Sequence, residues 1–141
     1  MIILDTDCLS LLDRERLLES SKLRQKLDHF SSDEIVTTII TFEEHMRGWL
    51  SFVAKAKTPE QLVYAYEKLH RFLESYRNTI VLEFDQPAAE IYKSLKSQKI
   101  RIGSMDLKIA SIAISRKAIL VSRNLKDYEQ VPNLVVNDWT R

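Results

Sequence analysis

Short apolar runs alternate with helix-spaced apolar positions along the whole chain. Met1-Ile2-Ile3-Leu4 leads without interruption into Asp5, Thr6 and Asp7. An apolar run bounded by polar residues in this way reads as a buried strand, with Asp5 at its C-terminal end. Leu9, Leu11 and Leu12, then Leu17, Leu18, Leu23 and Leu27, recur among charged residues and predict two short amphipathic helices reaching His29. Ile35-Val36 with the β-branched Thr37 and Thr38 predicts a second strand. Around Thr41 the pattern turns helical: Phe42, His45, Met46, Trp49, Leu50 and Val53 lie three and four apart, and Glu44 falls in the first turns.

Thr58-Pro59-Glu60-Gln61 is a helix start, with Thr58 as N-cap, Pro59 at the first helical position and Gln61 completing a capping box. Leu62, Tyr66, Leu69, Leu73 and Tyr76 are expected to form the apolar face, so this helix and the one before it make a long hairpin. Thr79–Leu82 predicts a third strand, and Asp85 with Pro87 opens a helix through Ile91, Tyr92 and Leu95. Gly103 and Ser104 are expected to break the chain and cap another helix, with Met105, Ile109, Ile112 and Ala113 facing inward and Asp106 in the first turn. Ala118–Val121 predicts a fourth strand running into the polar Ser122–Asp127 loop, and Leu134–Val136 a short fifth. Alternating strands and helices imply βαβ units: an α/β fold of three layers, with a central parallel sheet of about five strands flanked by helices.

Composition narrows the picture. A chain of 141 residues, 45% hydrophobic, without a linker or low-complexity segment, is expected to be a single domain over residues 1–141. The net charge of +1 rules out a global field for nucleic acid, so any attraction must be local. Cys8 has no partner for a disulfide, and the histidines and cysteine lack zinc-type spacing. Neither a leader nor an apolar run of membrane-spanning length is visible, so a cytoplasmic protein with no membrane association is expected.

Four acids stand where a parallel sheet would bring them toward one edge: Asp5, Glu44, Asp106 and Asp127. Taken singly, each has an ordinary explanation. Asp5 could be a turn or cap residue, Asp106 a helix-dipole acid beside Ser104, Glu44 a solvated helix face and Asp127 loop surface. Together they favour a shared site, because like charges a few ångströms apart raise each other's pKa or require a cation. Oxygen ligands alone suit Mg²⁺ or Mn²⁺, and such a centre suits phosphodiester hydrolysis by metal-activated water.

Four segments carry a family resemblance: Ile3–Asp7, Thr38–Gly48, Ile102–Ala110 and Val121–Tyr128, joined by Val131–Leu134 and Asp138-Trp139 near the end. In this order they resemble the successive motifs of the PIN domain, and in particular those of the VapC-type toxin ribonucleases of bacterial toxin–antitoxin pairs. The resemblance implies an endoribonuclease that uses Mg²⁺ or Mn²⁺ and leaves 5′-phosphate and 3′-hydroxyl ends. It implies Asp5, Glu44, Asp106 and Asp127 as the acidic quartet, with Thr6 and Asn124 in support. It further implies an RNA substrate and a cognate antitoxin protein, and a homodimer is expected. Glu44 is chosen over its neighbour Glu43 because Gly48 lies four residues beyond it, as in the family pattern. His45 stands where the family usually has an aliphatic residue. Asp7 often corresponds to asparagine in relatives, and is read as a secondary metal ligand.

Other features have plainer readings. His29, His45 and His70 are expected to be structural or surface residues. Cys8 is expected to be small and buried. Lys93, Lys96, Lys99 and Arg101 suit a solvated helix face, although their run into Gly103 could bring RNA backbone beside the acids. Arg47, Lys99, Arg101, Lys108 and Arg123 are the candidate RNA contacts, and Lys126 also lies close in sequence. The aromatic residues Trp49, Phe52, Tyr64, Tyr66, Phe72 and Tyr76 suit a packed hairpin, and any exposed excess a dimer interface or antitoxin groove. Two other functions fit an α/β chain of this kind: a phosphoacceptor receiver-like signalling domain, and a catalytically silent PIN-fold binding module. The first would want a lone Asp ending a middle strand and a Lys ending a late one, and neither is evident. Rossmann nucleotide binding is disfavoured, because no glycine-rich loop follows the first strand.

Overall fold

The opening apolar run forms the central strand of the sheet. In the computed structural model, which describes residues 1–13 and 18–141, β1 spans Ile2–Leu4 with all three residues buried. It is followed by α1 (Thr6–Leu12), α2 (Leu18–Leu27), β2 (Ile35–Thr38), α3 (Ile39–Lys55), α4 (Pro59–Ser75) and β3 (Ile80–Leu82). The rest is α5 (Gln86–Ser97), α6 (Ser104–Ser115), β4 (Ile119–Val121), α7 (Leu125–Tyr128) and β5 (Val135–Asn137). Leu17, expected on an amphipathic helix, lies outside the described residues.

The five strands are all parallel, in the order β3-β2-β1-β4-β5. Successive side chains of β1 point to opposite faces, as a strand requires. Ile2 and Leu4 enter a core with Leu11, Leu23, Leu27 and Val121 under α1 and α2. Ile3 enters the other, with Val36, Leu120, Ile109 and Ile112 under α5 and α6. Helices thus cover both faces and make three layers. The connection from β1 goes to β2 on one side, while β4 lies on the other, so the chain changes direction between β1 and β4. In open α/β sheets that switch point, beyond the strands' carboxyl ends, is where ligands bind. A receiver-type sheet has the order 2-1-3-4-5, and the order here sets that alternative aside.

Local chemistry explains the element boundaries. Thr38 caps α3 by accepting from the Thr41 N–H at 3.1 Å, so the helix begins at Ile39, earlier than the apolar spacing alone suggests. The Thr58–Gln61 capping box is present. At α6 the N-cap is Gly103 rather than Ser104, which is the first helical residue, and no side chain caps the end. The expected apolar face of α4 is also corrected. Ala65 and Phe72 are its buried residues, whereas Leu62, Tyr66 and Leu73 are exposed. The hairpin packs through aromatic pairs, with Phe42 stacked on Phe72 at 5.5 Å and Phe52 against Tyr64 at 5.9 Å. Among the described residues, no helix is long and apolar enough to cross a membrane.

Candidate active site

Asp5 leaves β1 as the N-cap of α1, and its backbone N–H donates to the Val121 carbonyl at 3.0 Å. That bond extends the β1–β4 ladder by one step and sets Ser122 beside Asp5. The Ser122 hydroxyl donates to Asp5 Oδ2 at 2.7 Å, and the Thr6 N–H to Oδ1 at 2.9 Å. Only 5% of Asp5 is exposed. Burial pushes its carboxyl up to about 7, the charges of Asp7 and Asp106 push the same way, and the Ser122 bond opposes them.

Glu44 arrives from the second turn of α3. It accepts from the Thr6 hydroxyl at 2.9 Å, and burial, then the charges of Asp106, Glu43 and Asp7, raise its pKa. Glu43, by contrast, turns away to pair with Arg47 at 2.6 Å. Helix periodicity therefore gives Glu44 to the recess and Glu43 to the surface. Thr38, Thr41 and Thr6 link the ends of β2 and β1 by hydroxyl contacts of 3.3 Å, all converging on Thr41 Oγ1.

Asp106, in the first turn of α6, is half-buried, and its pKa is raised by burial and by the charges of Asp127 and Asp7. The Tyr128 hydroxyl lies 3.2 Å from Asp106 Oδ1 and 3.4 Å from Asp5 Oδ1. The Asn124 amide reaches Asp127 at 3.1 Å and Asp106 at 3.4 Å. Asn124 stands at the N-cap of α7 without a side-chain capping bond, and its amide nitrogen donates to the two acids. Asp7 accepts from the Arg123 backbone N–H at 3.2 Å through Oδ2, while its Oδ1 is buried with no hydrogen-bond partner among the described residues.

The four acids and Asp7 thus meet at the sheet's switch point. Among the described residues, the side chains of the candidate RNA contacts form no bonds to these acids, and only the Arg123 backbone N–H reaches one of them, Asp7. Arg47 is engaged by Glu43, and the Arg123 guanidinium pairs with Glu19 at 3.4 Å. Lys99 and Arg101 are exposed and Lys108 is half-buried, and none forms an ion pair among the described residues. Ser122 and Tyr128 belong to the recess as well, although nothing in their residue type singles them out. The available signal was positional: each follows or flanks the end of the fourth strand, where a partner for Asp5 must come from if that strand neighbours the first.

The recess can be tested for a metal on its own chemistry. Among the described residues, no group of three or more Asp, Glu, His and Cys could hold an ion as it stands. What remains is an open recess of oxygen donors, three carboxyls disfavoured in their charged form by burial and mutual repulsion, and one buried, unpartnered Asp7 oxygen. That fits a small hard cation that keeps several waters and takes one or two carboxylates plus substrate phosphate.

The chain as a whole is similar to known proteins. The model of the PIN domain family matches residues 2–134. Ribonuclease VapC2 of Rickettsia felis is 32% identical over 93 residues, 63% of this chain and 65% of that protein. Ribonuclease VapC1 of Haemophilus influenzae strain R2866 is 30% identical over 142 residues, 99% of this chain and 98% of that protein. The crystal structure of VapBC2 from Rickettsia felis, bound to a DNA fragment from their promoter, superposes with a TM-score of 0.71 at 27% identity, covering 99% of each chain.

Proposed function

Since the chain belongs to the PIN domain family and within it to the VapC ribonucleases, we propose that it is a metal-dependent endoribonuclease, the toxin of a toxin–antitoxin pair, with its centre at Asp5, Glu44, Asp106 and Asp127. The supporting observation is the bonded chain Asp5–Tyr128–Asp106–Asn124–Asp127 at the carboxyl ends of β1 and β4. Asp5 and Asp106 are the principal ligands in this reading, Glu44 and Asp127 flank them, and Asp7 assists through its unpartnered oxygen. Mg²⁺ or Mn²⁺ would supply a water acidified toward neutrality and positive charge for the leaving oxygen.

The residues of the chain do the positioning. Thr6 orients Glu44, Ser122 and the Thr6 N–H fix both oxygens of Asp5, and Asn124 holds Asp106 and Asp127 side by side. A phosphodiester presented to the recess is attacked by water at phosphorus. The phosphorus–O3′ bond breaks, leaving a 5′-phosphate and a 3′-hydroxyl. Lys99, Arg101 and Lys108 are assigned to the RNA backbone, whose charge the acids would otherwise repel. Arg47 and Arg123 would have to leave surface pairs to do the same.

A cognate antitoxin is the proposed protein partner. A groove of about 1060 Å³ between α1 and the α3–α4 hairpin, lined by aromatic residues such as Trp49 and Phe52, opens beside Glu44. A segment lying there would contact Glu44. Replacing Asp106 by Asn tests the chemistry: RNA cleavage should be abolished with the circular-dichroism spectrum unchanged, and a fully active variant would overturn the assignment.

A further inference from the structure

Among the described residues, Tyr128 is the one side chain hydrogen-bonded to both Asp5 and Asp106. It is completely buried and is the largest side chain in that state, packed in the core cluster that holds Ile109, Leu120 and Val131. Phenylalanine would fill the same apolar space. A buried hydroxyl is costly there unless it is bonded, so its two carboxylate contacts account for the presence of an oxygen at this position.

The hydroxyl has one proton and two acceptors within reach. It can donate to one carboxylate at a time, and the other oxygen then faces a lone pair and needs a proton or positive charge of its own. Burial and the neighbouring acids push the phenol's pKa upward, so it stays a donor. The remaining oxygens are oriented from elsewhere: Ser122 holds Asp5 Oδ2, and Asn124 reaches Asp106 Oδ2. Without the Tyr128 hydroxyl, the Asn124 contact at 3.4 Å would be the last hydrogen bond orienting Asp106 among the described residues. The two acids come from elements far apart in the chain, β1–α1 and α6, and among the described residues no hydrogen bond joins them directly.

We propose that Tyr128 is a positioning residue that sets the spacing of Asp5 and Asp106, and thereby the affinity of the recess for its divalent cation. This rests on the reading of those two acids as metal ligands. Tyr128→Phe removes the oxygen and keeps the ring. Partners that orient metal ligands typically account for about 10–100-fold in metal affinity or activity, and Tyr128→Phe should weaken Mn²⁺ binding by about tenfold or more.

The experiment is Mn²⁺ titration by calorimetry without RNA, on the full-length wild type, Tyr128→Phe and Asp106→Asn, followed by RNA cleavage over a range of Mn²⁺. Tyr128→Phe should bind Mn²⁺ more weakly and lose cleavage at limiting metal, and excess Mn²⁺ should restore its kcat. A purely structural role would not be rescued by metal. Wild-type affinity in Tyr128→Phe overturns the positioning role while leaving the metal centre standing. Absence of Mn²⁺ binding by the wild type, or undiminished binding by Asp106→Asn, overturns the metal centre and the positioning role together. Should Tyr128→Phe fail to fold, the ring resonances of Tyr128 in the wild type decide, assigned through its backbone. They should shift on Mg²⁺ titration, and an unchanged signal at saturation contradicts the proposal.

Discussion

Asp5 sits where water scarcely reaches it, and the consequence is a measurable dependence of stability on pH. Its carboxyl moves from 3.8 to about 7, chiefly through burial. Between those values the unfolded chain has released the proton and the folded chain keeps it, so folding takes up a proton and stability falls as pH rises. Below the lower value Asp5 is neutral in both states and costs nothing. Above the higher value the whole penalty is present. The metal-free Asp5→Asn protein should therefore be more stable than the metal-free wild type at about pH 8, with a gap that closes toward about pH 4. Denaturant unfolding in EDTA at several pH values measures it, and a gap independent of pH would contradict the assignment. Glu44 and Asp106, whose pKa values are raised in the same direction, are present in both proteins, so the difference reports Asp5 together with its coupling to them. As candidates, Asp5, Asp106 and Asp127 were legible in the sequence, because each follows an apolar run or opens a helix. Ser122 and Tyr128 were not, since a serine after a strand and an aromatic residue in a short helix are commonplace until β1 is known to pair with β4.

At the scale of elements, the α3–α4 hairpin is tied to α1 by a histidine. His45 Nε2 lies 2.9 Å from the Ser10 hydroxyl, and Nδ1 lies 3.2 Å from the Tyr76 hydroxyl. Both hydroxyls can donate or accept, so a neutral ring is satisfied in either tautomer. Burial lowers the ring's pKa, which keeps it neutral near physiological pH. His45 accordingly has the structural role expected of it. Tyr76→Phe and Ser10→Ala should each cost about 1 kcal/mol, and the double variant less than their sum, because they share one ring. Urea unfolding of the four proteins checks this, and strict additivity would mean that the two bonds do not communicate. The same hairpin marks a limit of sequence reading. Leu62, Tyr66, Leu69 and Leu73 form one stripe of α4 at helical spacing, and Ala65, Leu69, Phe72 and Tyr76 form another. Periodicity allows both. Packing chose the second, through Phe72 and Tyr76 against Phe42, and left Tyr66 and Leu73 exposed.

For the whole molecule, the parallel sheet and its three layers were legible because buried strands and amphipathic helices alternate with clear turn chemistry. The order β3-β2-β1-β4-β5 was not, since it depends on which strand crosses back over β1, and no local signal carries that choice. Yet that order makes the site, by placing the ends of β1 and β4 side by side and letting α3 and α6 deliver Glu44 and Asp106 to them. Charges gathered in this way stabilise the fold poorly by themselves, and on the proposed reading they are ligands for a cation that binds with water and RNA phosphate. The central claim is that this cation is required for RNA hydrolysis at the recess. Purified protein stripped with EDTA, dialysed and returned to labelled RNA with increasing Mg²⁺ or Mn²⁺ tests it most directly. Cleavage should be absent without metal and rise to saturation as metal is restored, with 5′-phosphate ends on the products; full-rate cleavage in EDTA would contradict it.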